Sequence, residues 1–257
     1  MTNVDPFAPF RLDGRVVIVT GASAGLGARF ARVLDAAGAS VALVARRRDR
    51  LDALASELGD ALAVTADLLD DAARAAIVPT VLERFGRVDV LVNNAGRSEP
   101  MRALDEPPDH FRATIDLNLT APFLLAQDVA RAMVAGDIAG VIVNVASIYA
   151  LAGIGRVPEA GYSAAKGGLV SLTRELAVQW SRKGLRVNAL APGWFPSEMT
   201  EDFFGDVRLR DWLAEKAPLG RGGAEHELDG ALLFLASDAS SYVTGQVLTV
   251  DGGFTAV

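Results

Sequence analysis

The sequence predicts an α/β fold: a doubly wound, parallel, seven-stranded sheet with helices on both faces. Short β-branched runs alternate with longer stretches of helical period, the pattern of a parallel sheet buried on both sides. The 257 residues, 51% of them hydrophobic, suffice for one sizeable core. No Pro/Ser-rich linker, repeat or low-complexity tract divides the chain, so residues 1–257 are expected to form a single domain.

Taken in order, the strands are Val-Val-Ile-Val-Thr at 16–20, Val-Ala-Leu-Val-Ala at 41–45, Ala-Leu-Ala-Val at 61–64 and Val-Asp-Val-Leu-Val at 88–92, followed by 141–146, 186–190 and 246–250. Between them, Ala-rich segments at about 25–37, 47–58, 70–85, 108–134, 160–183 and 224–236 are filled with ordinary helix formers.

Composition narrows the function. The net charge of −7 offers no basic footprint, so neither nucleic acid nor an anionic membrane surface is an expected partner. With no cysteine there is no disulfide, thiolate nucleophile or cysteine-ligated metal. The two histidines, His110 after Asp109 and His226 between Glu225 and Glu227, lack a second histidine at ligand spacing and read as surface or capping residues, so no metal is expected. The opening Met-Thr-Asn-Val-Asp-Pro has no secretory pattern, and no apolar run approaches the roughly 18 residues of a membrane span. A soluble, cytoplasmic protein is the expectation.

The first strand runs into Thr20-Gly21-Ala22-Ser23-Ala24-Gly25-Leu26-Gly27 and then a helix. Glycines allow a tight turn and close backbone approach, and a helix N-terminus favours negative charge, so this is a phosphate-binding context. The spacing differs from the commoner Gly-x-Gly-x-x-Gly dinucleotide fingerprint. The second strand ends Val44-Ala45-Arg46-Arg47-Arg48. An acid about 20 residues after such a loop would hold ribose hydroxyls, whereas an arginine would pair with a 2′-phosphate. Here the acid is absent and Arg46 follows the strand, which favours NADP(H) and leaves NAD(H) as the alternative. Arg47 and Arg48 read as a solvated helix start.

Tyr162 and Lys166 lie one helical turn apart in Tyr-Ser-Ala-Ala-Lys, and Ser147 ends an apolar run upstream. A phenol titrates near pH ~10, so acid/base work near neutrality asks for a cation that favours the phenolate, and the Lys166 ammonium is placed to supply one. Any helix can carry such a pair, Ser147 alone reads equally as a strand-end turn residue, and Asn118 alone as a defect in a long helix.

Together with the glycine loop, these residues resemble a classical short-chain dehydrogenase/reductase over essentially the whole chain. Asn93-Asn94-Ala95-Gly96 follows the fourth strand, Asn118 stands in Asp-Leu-Asn-Leu, Ser147 follows Asn-Val-Ala, Pro192-Gly193 follows the sixth strand, and Thr244-Gly245-Gln246 leads to Asp251-Gly252-Gly253. The resemblance implies an oxidoreductase with a Rossmann strand order and a catalytic set of Asn118, Ser147, Tyr162 and Lys166. Tyr162 would be the general acid/base and Ser147 would polarise the substrate oxygen. Lys166 would hold ribose hydroxyls and tune Tyr162, and Asn118 would support a water relaying protons to the lysine.

The resemblance further places the cofactor along Gly21, Ser23, Gly25, Leu26 and Gly27, the adenine near Asp67 and Leu68, Asn93 and Ala95 beside the dinucleotide, and the nicotinamide amide at the Phe195 backbone and the Ser197 hydroxyl. Asp67 reads equally as a helix N-cap. Ser197 stands where threonine is usual, position 24 lacks the basic residue that often accompanies NADP, and Ser147 and Tyr162, 15 positions apart, enclose a longer loop than in similar sequences.

Residues 194–219, with Phe195, Met199, Phe203, Phe204, Trp212 and Leu213, read as a substrate lid or as a packed helix pair. The expected partner is a small carbonyl or alcohol. A 3-oxoacyl group on acyl carrier protein, for which Arg182 and Lys183 offer some basic docking surface, and a sugar acid or polyol are the alternatives. A dinucleotide-binding regulator without turnover is the reading from a different class. Small and apolar residues on several faces of the 108–134 and 160–183 helices predict a homotetramer or homodimer.

Overall fold

A computed structural model of the chain describes residues 4–257, and residues 1–3 of the opening segment lie outside the described residues. The described strands are β1 (Val16–Thr20), β2 (Ser40–Ala45), β3 (Ala61–Thr65), β4 (Val90–Asn93), β5 (Val141–Val145), β6 (Arg186–Pro192) and β7 (Val247–Val250). They pair in parallel in the order β3-β2-β1-β4-β5-β6-β7. The chain winds outward from β1 to β3 and then returns to place β4 on the other side of β1. That reversal opens a crevice at the carboxyl ends of β1 and β4.

The helices are α1 (Gly25–Ala36), α2 (Arg48–Glu57), α3 (Asp71–Phe85), α4 (Pro108–Ile115), α5 (Ala121–Ala135), α6 (Ala160–Trp180), α7 (Glu201–Gly205), α8 (Val207–Lys216) and α9 (Asp229–Ala236). Successive strand residues point to opposite faces. Val17, Val19 and Leu43 accordingly pack with Phe30 and Leu34 of α1, Leu51 of α2 and Leu232 of α9. Ile18, Ala42 and Leu91 pack with Ile77 of α3, Leu125 and Met133 of α5 and Leu176 of α6. The doubly wound sheet is therefore as expected.

Among the elements that differ in detail, three are instructive. β4 starts at Val90 rather than 88, because the Asp89 carboxylate accepts the Val16 N–H at 2.9 Å and pairs with Arg87. The 224–236 helix opens as a 3-10 turn over Glu225–Leu228 before α9. Most consequential, the expected 108–134 helix is split by a π-helical turn over Asp116–Thr120, in which the Ala121 N–H donates to the Asp116 carbonyl. Pro122 is the physical reason: it has no N–H for the Asn118 carbonyl four residues earlier, so the α ladder cannot close there. Such turns often mark functional sites.

Candidate active site

At the crevice, α1 begins directly behind the glycine loop. Its N-cap Ala24 supplies no side-chain acceptor, so the first-turn N–H groups are left to an anion. Gly21 (φ 69°) and Gly25 (φ 52°) occupy the left-handed region that favours glycine. A Cβ on Gly27 would lie 2.2 Å from the Gly21 carbonyl oxygen. Gly27→Ala is therefore expected to cost about 2 kcal/mol and lower Tm by about 5 °C; an unchanged melting curve would contradict this packing.

A cleft of about 420 Å³ is lined by Gly21, Ser23, Gly25, Leu26, Gly27, Arg46, Asp67, Leu68, Ala95 and Ser197. Asn94 and Gly96 of the Asn93–Gly96 turn also line it, as does Arg47, which the sequence pattern places in solvent. The Thr20 hydroxyl accepts from the Asn94 and Ala95 N–H groups, each at 3.0 Å, while Asn94 Nδ2 donates to the Thr20 carbonyl at 2.9 Å. Asn93 is placed elsewhere: buried, it donates to the Pro122 carbonyl and to Asn144 Oδ1, bracing β4 against β5.

The arginine run divides differently from the sequence expectation. Arg48 pairs with Asp52 on the surface, as expected, but Arg47 turns inward and donates from Nε and Nη2 to Ser23 Oγ at 3.1 and 2.9 Å. Arg46 is open to solvent, 4.0 Å from Asp67. Two guanidinium groups thus stand at the end of β2, opposite the α1 N-terminus. Asp67 does not cap the next helix; Asp70 does, accepting from Ala72 and Ala73. This cradle of open amides, close-approach glycines and two arginines fits a dinucleotide with an added phosphate.

Leu26, Asn94, Gly96 and Ser197 are shared with a second cavity of about 850 Å³, where Ser147, Tyr162 and Lys166 converge. Ser147 follows β5, and its hydroxyl accepts the Tyr149 N–H at 3.3 Å. Tyr162 lies in the first turn of α6. Lys166 is buried, donates to the Val145 carbonyl at 2.8 Å and sits 5.5 Å from the Tyr162 ring centroid.

Asn118, from the π turn, lies against the same wall: its Oδ1 would be 2.6 Å from a Cβ on Gly96, and Lys166 Nζ 3.6 Å. Its amide is held by the Arg97 and Thr114 carbonyls. All four expected residues are therefore brought together.

The electrostatics revise one expectation. Burial pushes the Tyr162 phenol above its ordinary range, the nearby Glu159 carboxylate raises it further, and the Ser147 hydroxyl opposes both by hydrogen bonding. Burial also pulls Lys166 down to about 8. The expected lowering of the phenol by the ammonium is thus outweighed, because desolvation acts on both groups. Glu159 itself is buried, hydrogen-bonded to Ser98, and raised by desolvation.

The 194–219 segment lines the second cavity with residues from Trp194 to Leu209. Trp194 stacks on Phe203 at 3.9 Å, and Trp212 meets both edge-on. Its aromatics therefore pack chiefly on one another, with Ile148 and Ile154. Phe195 is buried in the main core and its carbonyl accepts from the Thr200 hydroxyl at 2.6 Å; that hydroxyl also meets Ser197 Oγ at 3.0 Å. Met199 lines both cavities.

Fold and cleft together define a doubly wound α/β protein of the Rossmann type. A family model described as enoyl-(acyl carrier protein) reductase matches residues 21–255. Gluconate 5-dehydrogenase of Gluconobacter oxydans (strain 621H) is 41% identical over 254 residues, 96% of each chain. Cis-4-hydroxycyclohexanecarboxylate dehydrogenase of Sinomonas cyclohexanicum is 41% identical over 247 residues, 95% of this chain and 97% of that one. The crystal structure of a gluconate 5-dehydrogenase from Burkholderia cenocepacia J2315 with NADP and tartrate superposes with a TM-score of 0.93 at 36% identity, covering 98% of this chain and 100% of that one. The chain belongs to the classical short-chain dehydrogenase/reductase family and is an oxidoreductase acting on CH–OH groups. Among the described residues, no helix is long and apolar enough to cross a membrane.

Proposed function

We propose that this chain interconverts a ketone or aldehyde and the corresponding alcohol with NADP(H), using Tyr162 as general acid/base. The observation that carries the reading is that Ser147, Tyr162 and Lys166 open into one cavity continuous with the glycine-loop cleft. When bound, the nicotinamide dinucleotide supplies or accepts the hydride. In reduction, the Ser147 hydroxyl donates a hydrogen bond to the substrate oxygen, polarising the carbonyl. Tyr162 delivers its phenolic proton to that oxygen, and in oxidation it takes the proton back. Lys166 holds the cofactor ribose and returns charge to the Tyr162 environment, while Asn118 anchors the wall behind it.

Arg46 and Arg47 support NADP(H) over NAD(H), as does the NADP-bound Burkholderia relative. Arg46→Ala and Arg47→Ala should each weaken NADPH at least about 10-fold in a binding titration while leaving NADH nearly unchanged; equal losses for both cofactors would reject the assignment. The gluconate and hydroxycyclohexanecarboxylate relatives favour compact oxygenated substrates over a carrier-bound acyl chain. NADPH oxidation against a panel of ketones, aldehydes, oxo acids and acyl thioesters tests the reading, and consumption with the thioesters alone would replace it. The exposed Val134 and Val178 on α5 and α6 support pairing of copies through those helices.

A further inference from the structure

We infer that Arg156 is a specificity-determining residue that grips the carboxylate of an oxo or hydroxy acid whose reacting carbon lies at Ser147 and Tyr162. The inference rests on the oxidoreductase reading above and names its substrate class. Arg156 lines the same cavity as those two residues, on the loop that joins them. It is exposed and makes no ion pair among the described residues.

The other charges around this cavity are mostly engaged within the protein. Glu99 meets Arg97 and His110, Glu198 is bracketed by Arg47 and Arg50, and Asp206 caps α8 and meets Arg208. Asp202 alone is a carboxylate without such a partner among the described residues. The second lining cation, Lys166, is buried and donates to the Val145 carbonyl. Arg156 is therefore the cation available to an anionic ligand.

The loop is also built to present it. Ile154 is buried against the lid aromatics. Gly155, at φ 61°, sits at the centre of a three-residue turn closed by the Arg156 N–H to the Ile154 carbonyl at 2.5 Å, a conformation that favours glycine. Beyond Arg156, the Val157 carbonyl accepts the Tyr149 hydroxyl at 3.0 Å and the Pro158 carbonyl accepts the Met101 N–H at 2.8 Å. Residues on both sides of the arginine are thus pinned, which lowers the ordering cost of binding. Apolar walls from Ile148, Tyr149, Val157 and Trp194 surround the interior. One cavity that carries a guanidinium, a phenol, a hydroxyl and apolar wall matches a carboxylate joined by a short hydrocarbon frame to a carbonyl.

The test compares 4-oxocyclohexanecarboxylate with its methyl ester and cyclohexanone, using the NADPH-loaded enzyme. Arg156→Gln should raise KM for the acid about 10- to 100-fold, with kcat little changed and the neutral ketones unaffected. Arg156→Lys should restore part of the loss, and added salt should raise KM for the acid in the parent but not in Arg156→Gln. Equal effects on acid and neutral ketones, or no effect on the acid, would overturn the inference. Calorimetric binding of the same acid to the NADP⁺-loaded Tyr162→Phe protein separates the two readings. Loss of binding on adding Arg156→Gln supports the arginine even if the parent turns over no ketone, whereas equal binding, or no binding to the protein retaining Arg156, rejects it.

Discussion

Tyr162→Phe is expected to lower kcat for carbonyl reduction by about 10³-fold, within the range that a positioned proton donor contributes. The substitution keeps the ring, its 5.5 Å edge contact with Tyr149 and the neighbouring Lys166, and removes only the hydroxyl. Binding of NADPH should therefore stay within about threefold of the parent, placing the loss in the chemical step. Reduction needs the protonated phenol and oxidation the phenolate. Because burial and Glu159 hold the phenol above its ordinary range, reduction should be insensitive to pH around neutrality and oxidation should climb steadily toward alkaline pH. Steady-state rates in both directions check this. Unchanged reductase activity in Tyr162→Phe would remove Tyr162 from its assigned role and leave a binding protein without this chemistry.

The parts of this site visible in the sequence are those that depend on local pattern. The β-branched runs mark strands because a buried parallel sheet needs apolar residues on both faces, and the order of motifs along the chain matches their convergence at the crevice. The π turn was missed because the 108–134 stretch keeps helical composition throughout, yet its signal was present in Pro122, four residues after Asn118. Three adjacent arginines could not be separated by pattern: only the fold, which sets the N-cap of α2 beside Ser23, turns Arg47 toward that hydroxyl and leaves Arg48 in solvent. Asn93 and Asn94 exchanged their expected emphasis for a similar reason. Asn93 still belongs to β4 and points into the body of the protein, whereas Asn94 is the first residue beyond the strand and faces the cleft. The balance of desolvation against attraction at Tyr162 and Lys166 is likewise a property of depth, which helical spacing does not encode.

Depth also makes Lys166 a costly residue, and Lys166→Met should separate that cost from its use. In the folded chain the amine is pulled down to about 8 from its ordinary 10.5. At pH 7 this gap corresponds to about 3 kcal/mol of lost stability, because the folded state must bury a charge that the unfolded chain leaves in water. The donated bond to the Val145 carbonyl returns about 1.5 kcal/mol, and methionine forfeits it. The net expectation is a cofactor-free protein more stable by on the order of 1 kcal/mol at pH 7, with Tm higher by a few degrees. Between pH 8 and 10.5 the unfolded parent binds a proton that the folded parent does not, so the parent gains stability as pH rises through that window. Methionine cannot titrate, so its advantage should shrink to nothing within that window and reverse above it, where only the lost hydrogen bond remains. Turnover should move the opposite way, falling by at least about 100-fold, since in the proposed mechanism the variant loses both the hold on the cofactor ribose and the charge beside Tyr162. A variant that is both less stable at pH 7 and still active would show that Lys166 is a structural anchor for β5 rather than a group held under desolvation for the reaction.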